Sequence, residues 1–212
     1  GCVECRSTWA DRCRSSFWSI ISGCTALTSV NLPLITTIPE RAFQNCSSLP
    51  AFDSPAVTSV GNYAFTGCSQ LASFNKTAVQ TIGNYAFQNC ASLLSFDCSS
   101  VTSLGNNVFE GCTQLVSANL PNVTSMGTGV FHQCAALDFE QVNLPKMTSL
   151  PNYTFQSCTG INSVTLPNDR MPLVTSVGAY AFRYDTGILS VTINGAMTLG
   201  AYAFSECSNN QS

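Results

Sequence analysis

The 212-residue sequence predicts a repeat solenoid, built of coils of about 22–24 residues whose short parallel strands stack into one sheet. Three observations predict it. A phenylalanine stands three residues before a cysteine at Phe43 with Cys46, Phe65 with Cys68, Phe87 with Cys90, Phe109 with Cys112 and Phe131 with Cys134, one pair every 22 residues. The beat continues at Phe155 with Cys158 and Phe204 with Cys207. Between the pairs the same apolar, hydroxyl, glycine and proline positions return in register. One unit has too little apolar surface to fold alone, so units must stack like on like and share a core.

Each element of the unit has a local cause. Apolar residues follow the Phe at the Cys, then at a Leu and at a Val or Phe, and the last stretch alternates as a short strand does, in Val30-Asn31-Leu32 and Val164-Thr165-Leu166. Pro33, Pro55, Pro121, Pro145 and Pro167 end that strand, because proline has no N–H to give a ladder. A V-T-S-V segment follows, with two hydroxyl residues between apolar ones. Gly61, Gly83, Gly105, Gly127, Gly178 and Gly200 then read as corners that use positive φ. At roughly 4.8 Å per coil the array is a rod about 40 Å long.

As a consensus the unit reads AFxxCxxLxSVxLPxVTSIGxY, and residues 21–207 carry it. This resembles the BspA-type, or Treponema pallidum-type, leucine-rich repeat, whose form is LxxVxLPxxVTSIGxyAFxxC. The resemblance implies a non-enzymatic secreted or surface protein acting in adhesion or recognition. Two residues are inserted near Asp138 to Gln141 and five near Asp169 to Leu173. The expected organisation is a Cys-rich N-terminal cap over 1–20, the array over 21–207 and a tail over 208–212.

Composition narrows the function. Charged residues make up 9%, against the usual ~25%, and the formal charge is −3 with eight Lys plus Arg, so no basic nucleic-acid surface is expected. No apolar run approaches the ~20 residues of a membrane span. The ladder cysteines read as buried thiols, since neighbouring coils hold Cβ atoms farther apart than the ~3.8 Å of a disulfide. Cys2, Cys5 and Cys13 break the ladder and form a candidate disulfide set with Cys24, which requires an oxidising compartment. A zinc site at Cys2 and Cys5 lacks two ligands, and no metal or other cofactor is expected.

The sole histidine, His132, reads as a solvent-facing repeat variant, and no nucleophile, base and oxyanion donor converge, so no catalytic residue is assigned. The strand face carries small polar residues such as Ser73, Asn75, Ser95 and Asp97, without the Trp, Tyr or Arg anchors of an evolved interface. Tyr63, Tyr85, Tyr153, Tyr180 and Tyr202 form a corner stripe that either packs over the next coil or offers an aromatic edge. The irregular repeats supply candidate contact loops: Asp138, Phe139 and Glu140; Asp169, Arg170 and Met171; Arg183, Tyr184 and Asp185. N-x-S/T sequons at Asn45, Asn75, Asn122, Asn152 and Asn210 are candidate glycosylation sites.

The partners expected are a protein or glycan on a surface, or copies of the chain itself, at an extracellular or cell-surface location. The last coil ends near Cys207 without an evident cap. A head-to-tail contact there, with the Cys-rich N-terminus of a second copy, would not close and would build a fibre. A structural, self-assembling subunit is therefore the alternative to an adhesion module.

Overall fold

Apolar residues three apart set the first bend of every coil. The Cys46 N–H donates to the Phe43 carbonyl at 3.1 Å and the Leu49 N–H to the Cys46 carbonyl at 3.1 Å, so Phe, Cys and Leu all point inward from consecutive tight turns. The same pair of bonds recurs from Phe65, Phe87, Phe109, Phe131 and Phe155. The computed structural model describes residues 21–207, and all structural statements concern these.

Two ladders of parallel strands run along the rod, where the sequence led us to expect one sheet. The expected ladder contains β4 (Ser95–Asp97), β6 (Ser117–Asn119) and β8 (Val142–Asn143), then β10 (Ser163–Leu166) beside β12 (Ser190–Ile193). Single bridges, Asn31 to Asp53, Ala51 to Ser73 and Ser73 to Ser95, extend it toward the N-terminus. The second ladder comes from the V-T-S-V segments. It pairs β1 (Thr37–Ile38), β2 (Ser59–Val60), β3 (Thr81–Ile82), β5 (Ser103–Leu104) and β7 (Ser125–Met126). It resumes as β9 (Ser149–Leu150), β11 (Ser176–Val177) and β13 (Thr198–Leu199). Strands of two residues carry almost no alternation, which is why their pattern did not read as strand.

The glycine row beside this second ladder has a different cause from the one expected. Gly61, Gly83, Gly105, Gly127, Gly178 and Gly200 are not at positive φ. They are glycines because the preceding coil lies against them: a Cβ on Gly105 would sit 2.5 Å from the Asn84 nitrogen and 2.7 Å from the Gly83 carbonyl carbon. The positive φ falls two residues later, on Tyr63, Tyr85, Tyr180 and Tyr202, and likewise on Tyr153 after Pro151, at 56° to 60°.

The core is a column of phenylalanines. Rings from Phe43 through Phe65, Phe87, Phe109, Phe131, Phe155, Phe182 and Phe204 stack at 4.8–5.8 Å between centroids. Phe52, Phe74 and Phe96 form a second column that meets the first edge-on. The strand position then shrinks to Ala118. A 3-10 turn, Phe139–Gln141, delivers Phe139 into the core there, edge-on to Phe155 and Phe182 at 5.4 and 5.7 Å. Asp138 caps this turn, accepting the Glu140 N–H at 3.0 Å.

Candidate functional site

The cysteine ladder is chemically quiet. Ladder thiols donate to a backbone carbonyl of the preceding coil: Cys46 to Ile21 at 3.2 Å, Cys68 to Phe43 at 3.0 Å, Cys112 to Phe87 at 3.1 Å and Cys158 to Phe131 at 2.9 Å. Burial pushes the thiols up, Cys112 to about 12 and Cys98 to about 11, so the nucleophilic thiolate is suppressed. Cys24 is buried at the start of the core. Its proposed partners Cys2, Cys5 and Cys13 lie outside the described residues.

Asp185 stands where the ladder asks for cysteine. It is fully buried, its Oδ1 accepts the Cys158 N–H at 2.6 Å, and its Oδ2 has no hydrogen-bond partner. Burial pushes its carboxyl up to about 9, against the opposing pull of the Cys158 and Ser157 N–H groups. It is a core residue and cannot meet a partner from a contact loop. The same holds for Phe139 and for Met171, whose side chains fill the core. Apolar residues in an insertion turn inward because water rewards their burial. The inserts keep Asp138, Glu140, Asp169, Arg170 and Tyr184 exposed, with Arg183 half-buried.

The strand face spends its polar groups along the rod axis. Asn119 Nδ2 donates to Asp97 Oδ1 at 3.1 Å, Asn143 Nδ2 to Asn119 Oδ1 at 2.7 Å, and Lys76 Nζ lies 3.4 Å from Asp53. Among the sequons, Asn45, Asn75 and Asn152 are exposed, Asn122 is half-buried and Asn210 lies outside the described residues. The Asn122 amide nitrogen donates to the Ser99 carbonyl at 2.7 Å, a bond that a glycan on that nitrogen would strain.

The corner stripe gathers the aromatic and basic side chains. Tyr63 stacks on Tyr85 at 5.0 Å, Tyr153 on Tyr180 at 5.3 Å and Tyr180 on Tyr202 at 5.3 Å, with planes within 14° of parallel. Arg41 begins the stripe, its guanidinium 5.0 Å from the Tyr63 centroid. Arg183 lies 5.3 Å from Tyr180 and 4.3 Å from Tyr184. The rings pack on one another, as the packing alternative expects, and Tyr153 and Tyr202 in the stripe, with Tyr184 beside it, are 39, 65 and 42% exposed. An amide ladder pins this corner. Asn62 Oδ1 accepts the Asn84 N–H, Asn84 the Asn106 N–H and Asn106 the Thr128 N–H, at 2.8–2.9 Å. The repeated Gly-Asn pair was its signal.

The stripe is interrupted where Asn107 and Gly129 take the tyrosine position. Beside the interruption lies a polar cluster. Glu110 Oε2 accepts from Gln88 Nε2 at 3.1 Å and from Asn107 Nδ2 at 2.9 Å, while Oε1 lies 3.7 Å from His132 Nδ1. His132 is not the solvent-facing variant expected; its side chain is 24% exposed. Burial lowers its basicity, and Glu110 opposes that in part.

Comparison with known proteins agrees with this architecture. The family described as BspA type leucine-rich repeat region matches in six copies over residues 19–138 and 80–211. A leucine-rich repeat protein from Bacteroides ovatus superposes with a TM-score of 0.70 at 26% identity, covering 81% of this chain and 45% of that one. The Treponema pallidum leucine-rich repeat protein superposes with a TM-score of 0.61 at 22% identity, covering 85% and 74%. The chain thus spans under half the length of the Bacteroides structure. A search of curated proteins finds no match. With nearly all of its length matched and its coils stacked as the repeat demands, the chain belongs to the BspA-type leucine-rich repeat family.

Proposed function

We propose that the chain is a non-enzymatic recognition module, secreted or held at a cell surface, that acts in adhesion through its tyrosine edge. One observation carries the reading: among the described residues, Tyr63, Tyr85, Tyr153, Tyr180 and Tyr202 line one partly exposed corner stripe with Arg41 and Arg183 against it, on a rod whose strand face has no such anchors. Tyr and Arg are the side chains that most often anchor interfaces, because they bury large rigid surface and keep a polar end. Stacking holds these rings in place beforehand, which reduces the ordering cost of binding. Family membership supports a binding role, and quiet buried thiols fit a structural one. The exposed sequons at Asn45, Asn75 and Asn152 are proposed glycan acceptors under a secretory route.

The test is adhesion of the purified chain to cell-surface and matrix preparations, read by surface plasmon resonance. A Tyr153→Ser, Tyr202→Ser double variant should bind at least about tenfold more weakly, the loss of one or two anchors. Circular dichroism should leave its fold unchanged. Undiminished binding by that variant would remove the edge from the reading. Protease shaving of intact producing cells tests the surface location.

A second reading, a self-assembling subunit, draws on the apolar edge of the last described coil. Leu189 is 88% exposed, and a cavity of about 330 Å³ opens among Ile188, Leu189, Val191, Phe204 and Cys207. The first coil of a second copy would cover that edge. Reducing and non-reducing gels with negative-stain microscopy decide it: fibres or reducible ladders support assembly, and a monodisperse monomer ends it.

A further inference from the structure

Two arginines lie against tyrosines of the stripe, and only one of them has an anion. The Arg41 guanidinium sits 5.0 Å from the Tyr63 centroid and pairs with the Glu40 carboxylate at 2.7 Å. A guanidinium can do both at once, because its face suits a ring and its in-plane N–H groups suit a carboxylate. Arg183 has the rings alone, 4.3 Å from the Tyr184 centroid and 5.3 Å from that of Tyr180. Among the described residues it makes no ion pair.

The residues around Arg183 leave its charge unanswered. Its place in the coil, immediately after the core phenylalanine, is held by uncharged Gln156 on the preceding coil and Ser205 on the next. Asp185 is turned into the core, and burial keeps its carboxyl protonated at neutral pH. Glu206 on the last coil is exposed and makes no ion pair either. The Arg183 Nε is buried without a hydrogen-bond partner, so the cation has its two terminal nitrogens left to bind with. Arg183 as a whole is half-buried and Tyr184 beside it is exposed, which makes the place an open edge rather than a cleft. A partly buried charge without a counter-ion is unfavourable, and an anion in the guanidinium plane would relieve it.

We propose that Arg183 binds the carboxylate of an acidic sugar, a uronic or sialic acid residue of a surface glycan, with the sugar ring against Tyr184. This rests on the recognition reading and names its ligand class. A sugar ring has C–H groups for a tyrosine, hydroxyls for a neutral side chain such as Gln156, and one carboxylate for one guanidinium. The rings already hold the guanidinium, so little ordering remains to be done on binding. A peptide or polymer with many acidic groups would meet a chain of net charge −3 with one arginine to receive it. A neutral sugar would leave the Arg183 charge uncompensated.

The test is isothermal titration calorimetry of the whole chain with sialyllactose and with the methyl glycoside of glucuronic acid. Each is paired with its neutral methyl ester, which keeps the shape and loses the charge. At least one acid should bind saturably, and its ester at least about tenfold more weakly. Arg183→Gln should reduce binding of the acid to the level of the ester, with the circular dichroism spectrum unchanged. Should that variant misfold, the acid and ester on the unaltered chain decide. Equal binding of acid and ester, binding undiminished in Arg183→Gln, or no binding of either acid overturns the proposal. A capped glutamate peptide that binds more tightly than both sugars puts a protein at Arg183 and also overturns it. Adhesion that persists in Arg183→Gln when neither acid binds ends this site and leaves the recognition reading standing.

Discussion

Asp185 is where a single residue works against the repeat. A thiol at that position would donate to a carbonyl and remain neutral; the carboxyl must keep its proton to stay buried. Its folded value of about 9 lies above the ordinary 3.8, so the folded chain holds a proton that the unfolded chain has lost. The stability associated with that proton is fully present below pH 4 and is lost as pH rises toward 9. At pH 7 the loss is on the order of 4 kcal/mol, from ~1.4 kcal/mol per unit. Melting temperature should therefore fall between pH 5 and pH 8. Asp185→Cys should raise it at pH 8 and flatten the dependence. An unchanged pH profile in that variant would contradict the assignment. The sequence marked Asp185 as irregular, but only the coil stacking reveals that its side chain points inward.

At the scale of the element, the insertion near Asp138 looked like a loop and is a core device. The strand column loses its ring at Ala118, and Phe139 arrives on a capped 3-10 turn beside that position. Phe139→Ala should cost about 3–5 kcal/mol, a buried ring removed with little room to collapse. Glu140→Ala, exposed on the same turn, should stay within about 0.5 kcal/mol. Urea denaturation of both measures the difference, and equal effects would mean that Phe139 does not fill the core. The Phe and Cys positions were legible because their period repeats without exception over five coils. The second strand ladder was not, since pairs such as Ser59–Val60 are held by register with neighbouring coils rather than by local pattern. The tyrosine edge was legible as a stripe, whereas its interruption gained meaning only when Glu110, Asn107 and His132 were seen to meet.

The whole molecule is a one-dimensional stack, in which each coil bonds to the coil before and the coil after. The Tyr63 N–H reaches Asn84, the Phe65 N–H reaches Ala86 and the Gly67 N–H reaches Gln88, each at 2.8–2.9 Å. Stability in such a stack is a sum of coil and nearest-neighbour contributions, so neighbouring joints differ in strength. At the Asp185 joint the strength depends on a buried proton. Raising the pH should act there like scoring a glass rod: the fracture line is set before any load is applied. Limited proteolysis at pH 8.5 should release the segment after Cys158 and leave the preceding coils intact, while at pH 5 the same protease should find no preferred break. Cleavage spread evenly along the rod at both pH values would show that no such line exists.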